Sequence, residues 1–396
     1  MEFNNKWKEY ILYELADWKN GLAFKDIYFS SKGKPVIKIA ELKNGITEQT
    51  KFTEGDYGEE VYLRKNDLIF SWSGNPKTSI DAFLYDLPDG YLNQHSFKIT
   101  EKKEIINKYF LYYILKYLNP LFQSIATDKQ TTGLGHVTVA DLKKIKVRVP
   151  TLQEQNKFLD IIKNIDDKIY TNNKINDNLH ELAEQQFIKI YNSGNEKTLG
   201  NLLDNISTGS RPKGGAQSIG IPSVGAEKIE KFGVYDYSSE KFISEDFYKK
   251  LKNGKMKSGD VLLYKDGAYT GKVSMCLNGF PHKESAVNEH VFILNTKDNW
   301  AQNYLYFTLY NKENKEMLEK LAGSKAAQPG LNQGELKSLK IKICAKEIIE
   351  NFEANVKPIM ENIANNSLEN KKLAELRDTL LPKLMNGEIE LDKIIL

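Results

Sequence analysis

Residues 158–190 read FLDIIKNIDDKIYTNNKINDNLHELAEQQFIKI, and residues 352–384 read FEANVKPIMENIANNSLENKKLAELRDTLLPKL. Apolar positions in the first run recur at alternating steps of four and three: Phe158, Ile162, Ile165, Ile169, Asn172, Asn176, Leu179, Ala183, Gln186, Ile190. The second run repeats them at the same offsets: Phe352, Val356, Ile359, Ile363, Asn366, Asn370, Leu373, Arg377, Leu380, Leu384. This is the spacing of a coiled-coil seam. A helix of about 40 residues spans roughly 60 Å, and neither run is apolar enough to stand alone. The simplest partner for each is the other. Antiparallel pairing would bring Asn172 and Asn176 to Asn370 and Asn366, where buried Asn fixes register at some cost in stability; a solvated crossing is the plainer alternative. Pro358, absent from the first run, predicts a kink or a late start in the second helix.

The stretches before the helices repeat too. Asn66-Asp67-Leu68-Ile69-Phe70-Ser71 matches Gly259-Asp260-Val261-Leu262-Leu263-Tyr264, and Asn93-Gln94-His95-Ser96-Phe97 matches Asn288-Glu289-His290-Val291-Phe292. Short Val/Ile/Phe runs between Gly, Asn and Asp predict strands at 35–39, 67–71, 95–99 and 145–149. A Tyr-rich helix follows at 108–118, with Pro120 ending or kinking it. The repeat fixes the architecture. It predicts an α+β fold with a pseudo-twofold: two similar mixed α/β domains at 1–150 and 198–345, with long helices at 151–192 and 346–396 paired as an antiparallel coiled coil that puts the two domains at opposite ends of a rod.

Composition limits the function weakly. The 396 residues carry a net charge of only +3, so any basic surface must be local. Two cysteines in no CxxC arrangement argue against a disulfide framework or a zinc site and fit a reducing cytoplasm. With no apolar run of about 18 residues, a membrane partner is not expected.

A search for catalytic motifs finds none. Gly267-Ala268-Tyr269-Thr270-Gly271-Lys272-Val273 approaches a phosphate loop but is one residue short, with Val where Ser or Thr would bind Mg²⁺. Asn75-Pro76 is followed by Lys77-Thr78, not by the residues of an adenine methyltransferase motif. His95 and His290 occupy matching places, which reads as structural more often than catalytic. No metal site is expected.

Polar, Gly-rich loops recur at equivalent places in both halves. They carry Lys32 and Lys34; Ser73, Asn75 and Lys77; Lys129, Gln130, Thr131 and Thr132; and, in the second half, Arg211 and Lys213; Lys265, Tyr269 and Lys272; Lys325, Gln328 and Asn332. Lys and Arg neutralise phosphates, Gln, Asn and Arg read base edges, and Gly admits close backbone approach. Singly each loop reads as an ordinary turn; the duplicated set points to DNA.

The tail Leu376-Arg377-Asp378-Thr379-Leu380-Leu381-Pro382-Lys383-Leu384-Met385-Asn386-Gly387-Glu388-Ile389 resembles the C-terminal signature of specificity subunits of type I restriction–modification systems. Pro150-Thr151-Leu152-Gln153-Glu154-Gln155 looks like the same family's central region, and the stretch 323–333 is typical of it. The resemblance covers essentially the whole chain. It implies two target recognition domains, each reading half of a bipartite double-stranded DNA site. It implies helices that set the spacer and dock two methyltransferase subunits, with restriction subunits in the full complex. It implies no catalysis by this chain and no cofactor of its own: S-adenosylmethionine and ATP would belong to the partner subunits. Two other readings stay open, a coiled-coil scaffold binding only protein and a stand-alone DNA modification enzyme with divergent motifs.

Overall fold

The computed structural model describes residues 7–25, 28–130, 133–267, 270–323 and 330–389. The chain divides into two units, 1–166 with 375–396, and 167–374. The two long helices, Leu152–Tyr191 and Lys346–Met385, therefore contribute to both units.

In the first unit a four-stranded antiparallel sheet runs in the order Ala16–Asn20, Ser96–Glu101, Leu68–Ser71, Asp81–Leu84. Its central strand is apolar on both faces because both are covered. Leu68 and Phe70 face one core, with Phe110, Ile114 and Phe122. Ile69 faces another, with Ile37, Leu63 and Leu92. That second core is roofed by a small sheet in which Lys34–Ile37 runs parallel to Gly90–Leu92. The ribbon Lys8–Ile11/Lys146–Val149 closes the unit.

The second unit repeats the plan. Its sheet order is Leu203–Thr208, Val291–Thr296, Val261–Tyr264, Val273–Met275. Val261 and Leu263 again face one core and Leu262 the other. The parallel pair is Ile221–Val224 with Ala286–Val287, and the ribbon is Asn195–Thr198 with Lys340–Ile343.

Local chemistry adjusts several boundaries. The strand expected at 35–39 ends at Ile37, and Ile39 opens a short helix, Ile39–Asn44, whose Glu41 carboxylate accepts from the Lys38 N–H. The Tyr-rich helix Lys108–Tyr117 ends at Leu118, and Pro120 lies in the first turn of the next helix, Asn119–Asp128, where no N–H is needed. The helix Lys346–Met385 runs through Pro358 without a late start. Ala354 and Pro358 are both exposed there, so the carbonyl deprived of its donor faces water.

The helices pair antiparallel. Within the second unit Asn172 Nδ2 donates to Asn370 Oδ1 at 2.9 Å, and Asn366 Nδ2 to Asn176 Oδ1 at 2.9 Å. Asn176 Nδ2 also reaches Ser367 Oγ at 3.1 Å. Within the first unit Phe158 and Ile162 share a core with Leu381 and Leu384. Asp166 accepts from the Tyr113 hydroxyl at 2.6 Å and from Arg377 at 2.9 Å, so Arg377 enters the seam already neutralised.

A strict four–three seam misplaces the deepest contacts. Phe158, Ile162, Asn172, Asn176, Ala183, Phe352, Val356, Ile363 and Leu384 are buried. Ile165, Ile169, Leu179, Gln186, Ile190, Ile359, Asn366, Asn370, Leu373, Arg377 and Leu380 are only half-buried. Phe187, Tyr191, Met360, Ser367 and Leu381, each one residue on, sit deeper. The α-helical period of 3.6 drifts from 3.5 by about 20° per heptad, and these helices also pack on the globular parts of their units, so the apolar stripe widens.

Each Tyr-rich helix, Lys108–Tyr117 in the first unit and Gln302–Tyr310 in the second, is docked by the start of a long helix. Gln155 accepts from the Asn107 N–H at 2.7 Å and donates to the Ile105 and Pro150 carbonyls. In the second unit Glu353 accepts from the Tyr304 N–H and from Asn303 Nδ2, both at 2.7 Å. Both satisfy donors at a helix N-terminus.

Candidate nucleic-acid interface

In the first unit the loop after Leu68–Ser71 meets the Gly-rich loop. Ser73–Gly74 pairs with Gly135–His136, and the Val137 N–H donates to the Trp72 carbonyl at 2.8 Å. Gly135 also passes close to the helix Asn119–Asp128, where a Cβ would fall 2.0 Å from the Ala126 carbonyl oxygen. The second unit does the same: Asp266 bridges to Gly330, and the Leu331 N–H donates to the Lys265 carbonyl at 2.6 Å. Each unit thus ties two of its three candidate loops together by main-chain hydrogen bonds.

The candidate side chains on these loops divide by what already holds them. Asn75 caps the helix Pro76–Ser79, accepting from the Lys77 and Thr78 N–H groups at 3.1 and 3.2 Å. Asn332 caps Gln333–Ser338 through the Glu335 N–H at 2.9 Å. Both are set by local backbone chemistry. Lys129 is held 2.6 Å from Asp141, and Lys272 is bonded to Glu230. Lys265 lies 3.5 Å from Asp266, with its ammonium over the Phe292 ring at 5.3 Å. Ser73 lies on the paired ribbon, half-buried. Lys77 and Gln130 are exposed, as are Arg211, 3.9 Å from Glu289, and Lys213. Thr131, Thr132, Tyr269, Lys325 and Gln328 lie outside the described residues.

Lys32 is exposed, and Lys34 belongs to a different place from the ribbon. It lines a cleft of about 610 Å³ that none of residues 71–77 borders. There it bonds to the Tyr62 hydroxyl, which donates to Asp89 at 2.9 Å, and Glu54, Asp56 and Glu59 line the same cleft. Those carboxylates oppose a phosphate at Lys34.

Sequence reasoning passed over residues beside the ribbons. His95 and His290, treated as structural, stand at the ends of the central sheets next to Trp72 and Asp266. The signal was their matched position after Asn-Gln and Asn-Glu. Cys276 is buried, and burial pushes its thiol well up, an unreactive setting. Among the described residues no helix is long and apolar enough to cross a membrane.

Residues 4–181 match the family described as the type I restriction modification DNA specificity domain. The chain is 25% identical to the type I restriction enzyme MjaIX specificity subunit of Methanocaldococcus jannaschii, over 91% of this chain and 94% of that protein. It is 24% identical to the HindI specificity subunit of Haemophilus influenzae, over 83% and 87%. Its fold is similar to the crystal structure of the type I restriction–modification S subunit from M. genitalium, with a TM-score of 0.57, 16% identity and 97% of each chain covered. With the duplicated domain and the antiparallel helices, the chain is similar along most of its length to specificity subunits of type I restriction–modification systems, and residues 4–181 carry the match to that family's domain.

Proposed function

We propose that the chain is the DNA-reading subunit of a type I restriction–modification complex and performs no chemistry itself. Each globular domain reads one half of a bipartite site in double-stranded DNA. The paired helices fix the unread spacer and dock two methyltransferase subunits, which carry S-adenosylmethionine; restriction subunits, where present, carry ATP. The system works in the cytoplasm, where its DNA is.

The observation that carries this reading is the duplication of one surface: in each unit a strand-end loop is tied by main-chain hydrogen bonds to a Gly-rich loop. Phosphate contacts position a protein on DNA, and base-edge contacts specify the sequence. Lys77, Arg211 and Lys213, all exposed, would serve the first task. A scaffold binding only protein would have no use for two such surfaces.

The test is base-resolved methylation mapping of DNA from cells expressing this chain with a cognate methyltransferase subunit, against the methyltransferase alone. A split motif, adenine-methylated in both halves only when this chain is present, is the expected result. A stable complex that creates no new motif would reject the reading. Methyl transfer by the purified chain alone would instead favour a stand-alone enzyme.

A further inference from the structure

The two domains place different chemistry at one equivalent spot, the end of the central sheet beside the loop ribbon. Backbone bonds establish the equivalence. The Trp72 N–H donates to the His95 carbonyl at 3.3 Å, and the Lys265 N–H donates to the His290 carbonyl at 3.1 Å. Phe97 pairs with Asn20 in one sheet as Phe292 pairs with Thr208 in the other. Trp72 therefore corresponds to Lys265, Ser73 to Asp266, Gln94 to Glu289 and His95 to His290.

In the first domain this spot is aromatic and holds no carboxylate. The Trp72 indole N–H donates to Asn20 Oδ1 at 2.9 Å, its ring lies 5.7 Å from that of His95, and Gln94 Nε2 is 3.3 Å from His95 Nε2. In the second domain the same spot is an ionic network. His290 Nδ1 is 2.7 Å from Asp266 Oδ1, and its Nε2 is 3.5 Å from Glu289 Oε1. Glu289 also faces Arg211 at 3.9 Å, and Asp266 faces Lys265 at 3.5 Å. Glu289 and Asp266 keep 33% and 21% of their side chains exposed, so neither is sealed from solvent.

Carboxylates beside a DNA backbone are repelled by phosphate. They suit a partner that presents an amino group: the cytosine N4 or adenine N6 amine on the major-groove edge. Resting on the DNA-reading role proposed above, we infer that Glu289 and Asp266 are specificity-determining residues of the second domain, accepting from an exocyclic amino group in its half-site. His290, Lys265 and Arg211 orient them. The first domain, with Gln94, His95 and Asn20 at the equivalent spot, reads its half-site without carboxylates. Gln and Asn can pair with both the N6 amine and N7 of adenine.

The experiment is methylation mapping of the assembled complex, plus methylation of duplexes carrying every base at each position of the site. The unsubstituted complex is run first, and absence of any split motif there would fail the DNA-reading role itself. With that motif in hand, Glu289→Gln combined with Asp266→Asn is expected to relax or switch one or two base pairs in one half only. Discrimination there should fall on the order of tenfold or more. The other half and the spacer stay unchanged. Gln94→Glu is expected to alter the opposite half alone, and it decides the matter if the double variant fails to assemble. Unchanged preference in both halves from a fully active complex would overturn the inference. So would an intact complex whose methylation is lost on every duplex, since no altered base then restores it.

Discussion

Lys129 Nζ lies 2.6 Å from Asp141 Oδ1, and the same carboxylate accepts from the Thr138 N–H at 2.7 Å and the Thr138 hydroxyl at 2.6 Å. Burial alone would raise the Asp141 carboxyl, but these hydrogen bonds outweigh it and hold it below the usual carboxylate range. Lys129 thus neutralises the carboxylate that, with Thr138, forms the capping box of the short helix Val139–Leu142. Lys129→Ala is expected to lower stability by about 1 kcal/mol in urea unfolding. The salt slope of DNA binding should stay as it was. A slope reduced by a full phosphate contact would put Lys129 on DNA instead.

Exposed cations should behave in the opposite way. Lys77→Ala, Arg211→Ala and Lys213→Ala are each expected to leave unfolding within about 0.5 kcal/mol of the parent. Each that meets a phosphate should flatten the dependence of log K on log salt by about 0.9. Affinity titrations at several salt concentrations separate the two classes.

The helices can be tested as a ruler. One heptad inserted into each adds roughly 10.5 Å of rise, or about 3 base pairs of B-DNA. The methylated motif should keep both halves and gain that spacer. An active complex with the original spacer would remove the ruler role.

Glu353 gives a pH signature. Burial pushes its carboxyl up to about 7, against the hydrogen bonds from Tyr304 and Asn303 that favour the charged form. The unfolded value, near 4.5, is lower, so the folded state holds the extra proton. That contribution is fully present below about 4.5 and is lost as pH rises through 7. Buried His180 works the other way: burial lowers it to about 4, so its contribution is present above about 6.5 and is lost as pH falls through 4. The two slopes oppose each other over the shared window. Glu353→Gln keeps an acceptor for the Tyr304 N–H and removes one slope. Its stability should rise with pH between 5 and 7 more steeply than the parent's, with a gain of up to about 3 kcal/mol at pH 8. Urea unfolding at pH 5 and 8 measures both.

Much of the fold was legible in the residues because the physics was local or periodic. The runs at 67–71 and 259–264 announced matching strands, and the paired asparagines fitted antiparallel helices. The depth of each seam position was not legible. It depends on what lies beyond the partner helix, which brings in Phe187 and Met360 at the expense of Gln186 and Ile359. The DNA-facing set was the least legible. Charge pairing across sequence engages Lys272 with Glu230, 42 residues away, and capping engages the Oδ1 atoms of Asn75 and Asn332. The matched histidines were visible, but their neighbours Trp72 and Asp266 arrive from another strand.

Asp166 and Gln155 also bear on how a new target could be acquired. Both sit on the long helix, yet they hold groups of the globular domain that precedes it: the Tyr113 hydroxyl and the Asn107 N–H. A foreign recognition domain grafted in place of residues 1–150 would meet those two sockets before anything else. A graft bringing a hydroxyl and a helix start to them can inherit the rest of the machinery unaltered. One that does not would leave a buried amide and a carboxylate half-satisfied. These two polar sockets add to the apolar core that Phe158 and Ile162 share with the same domain, so exchanging specificity carries a cost at the helix as well as at the loops.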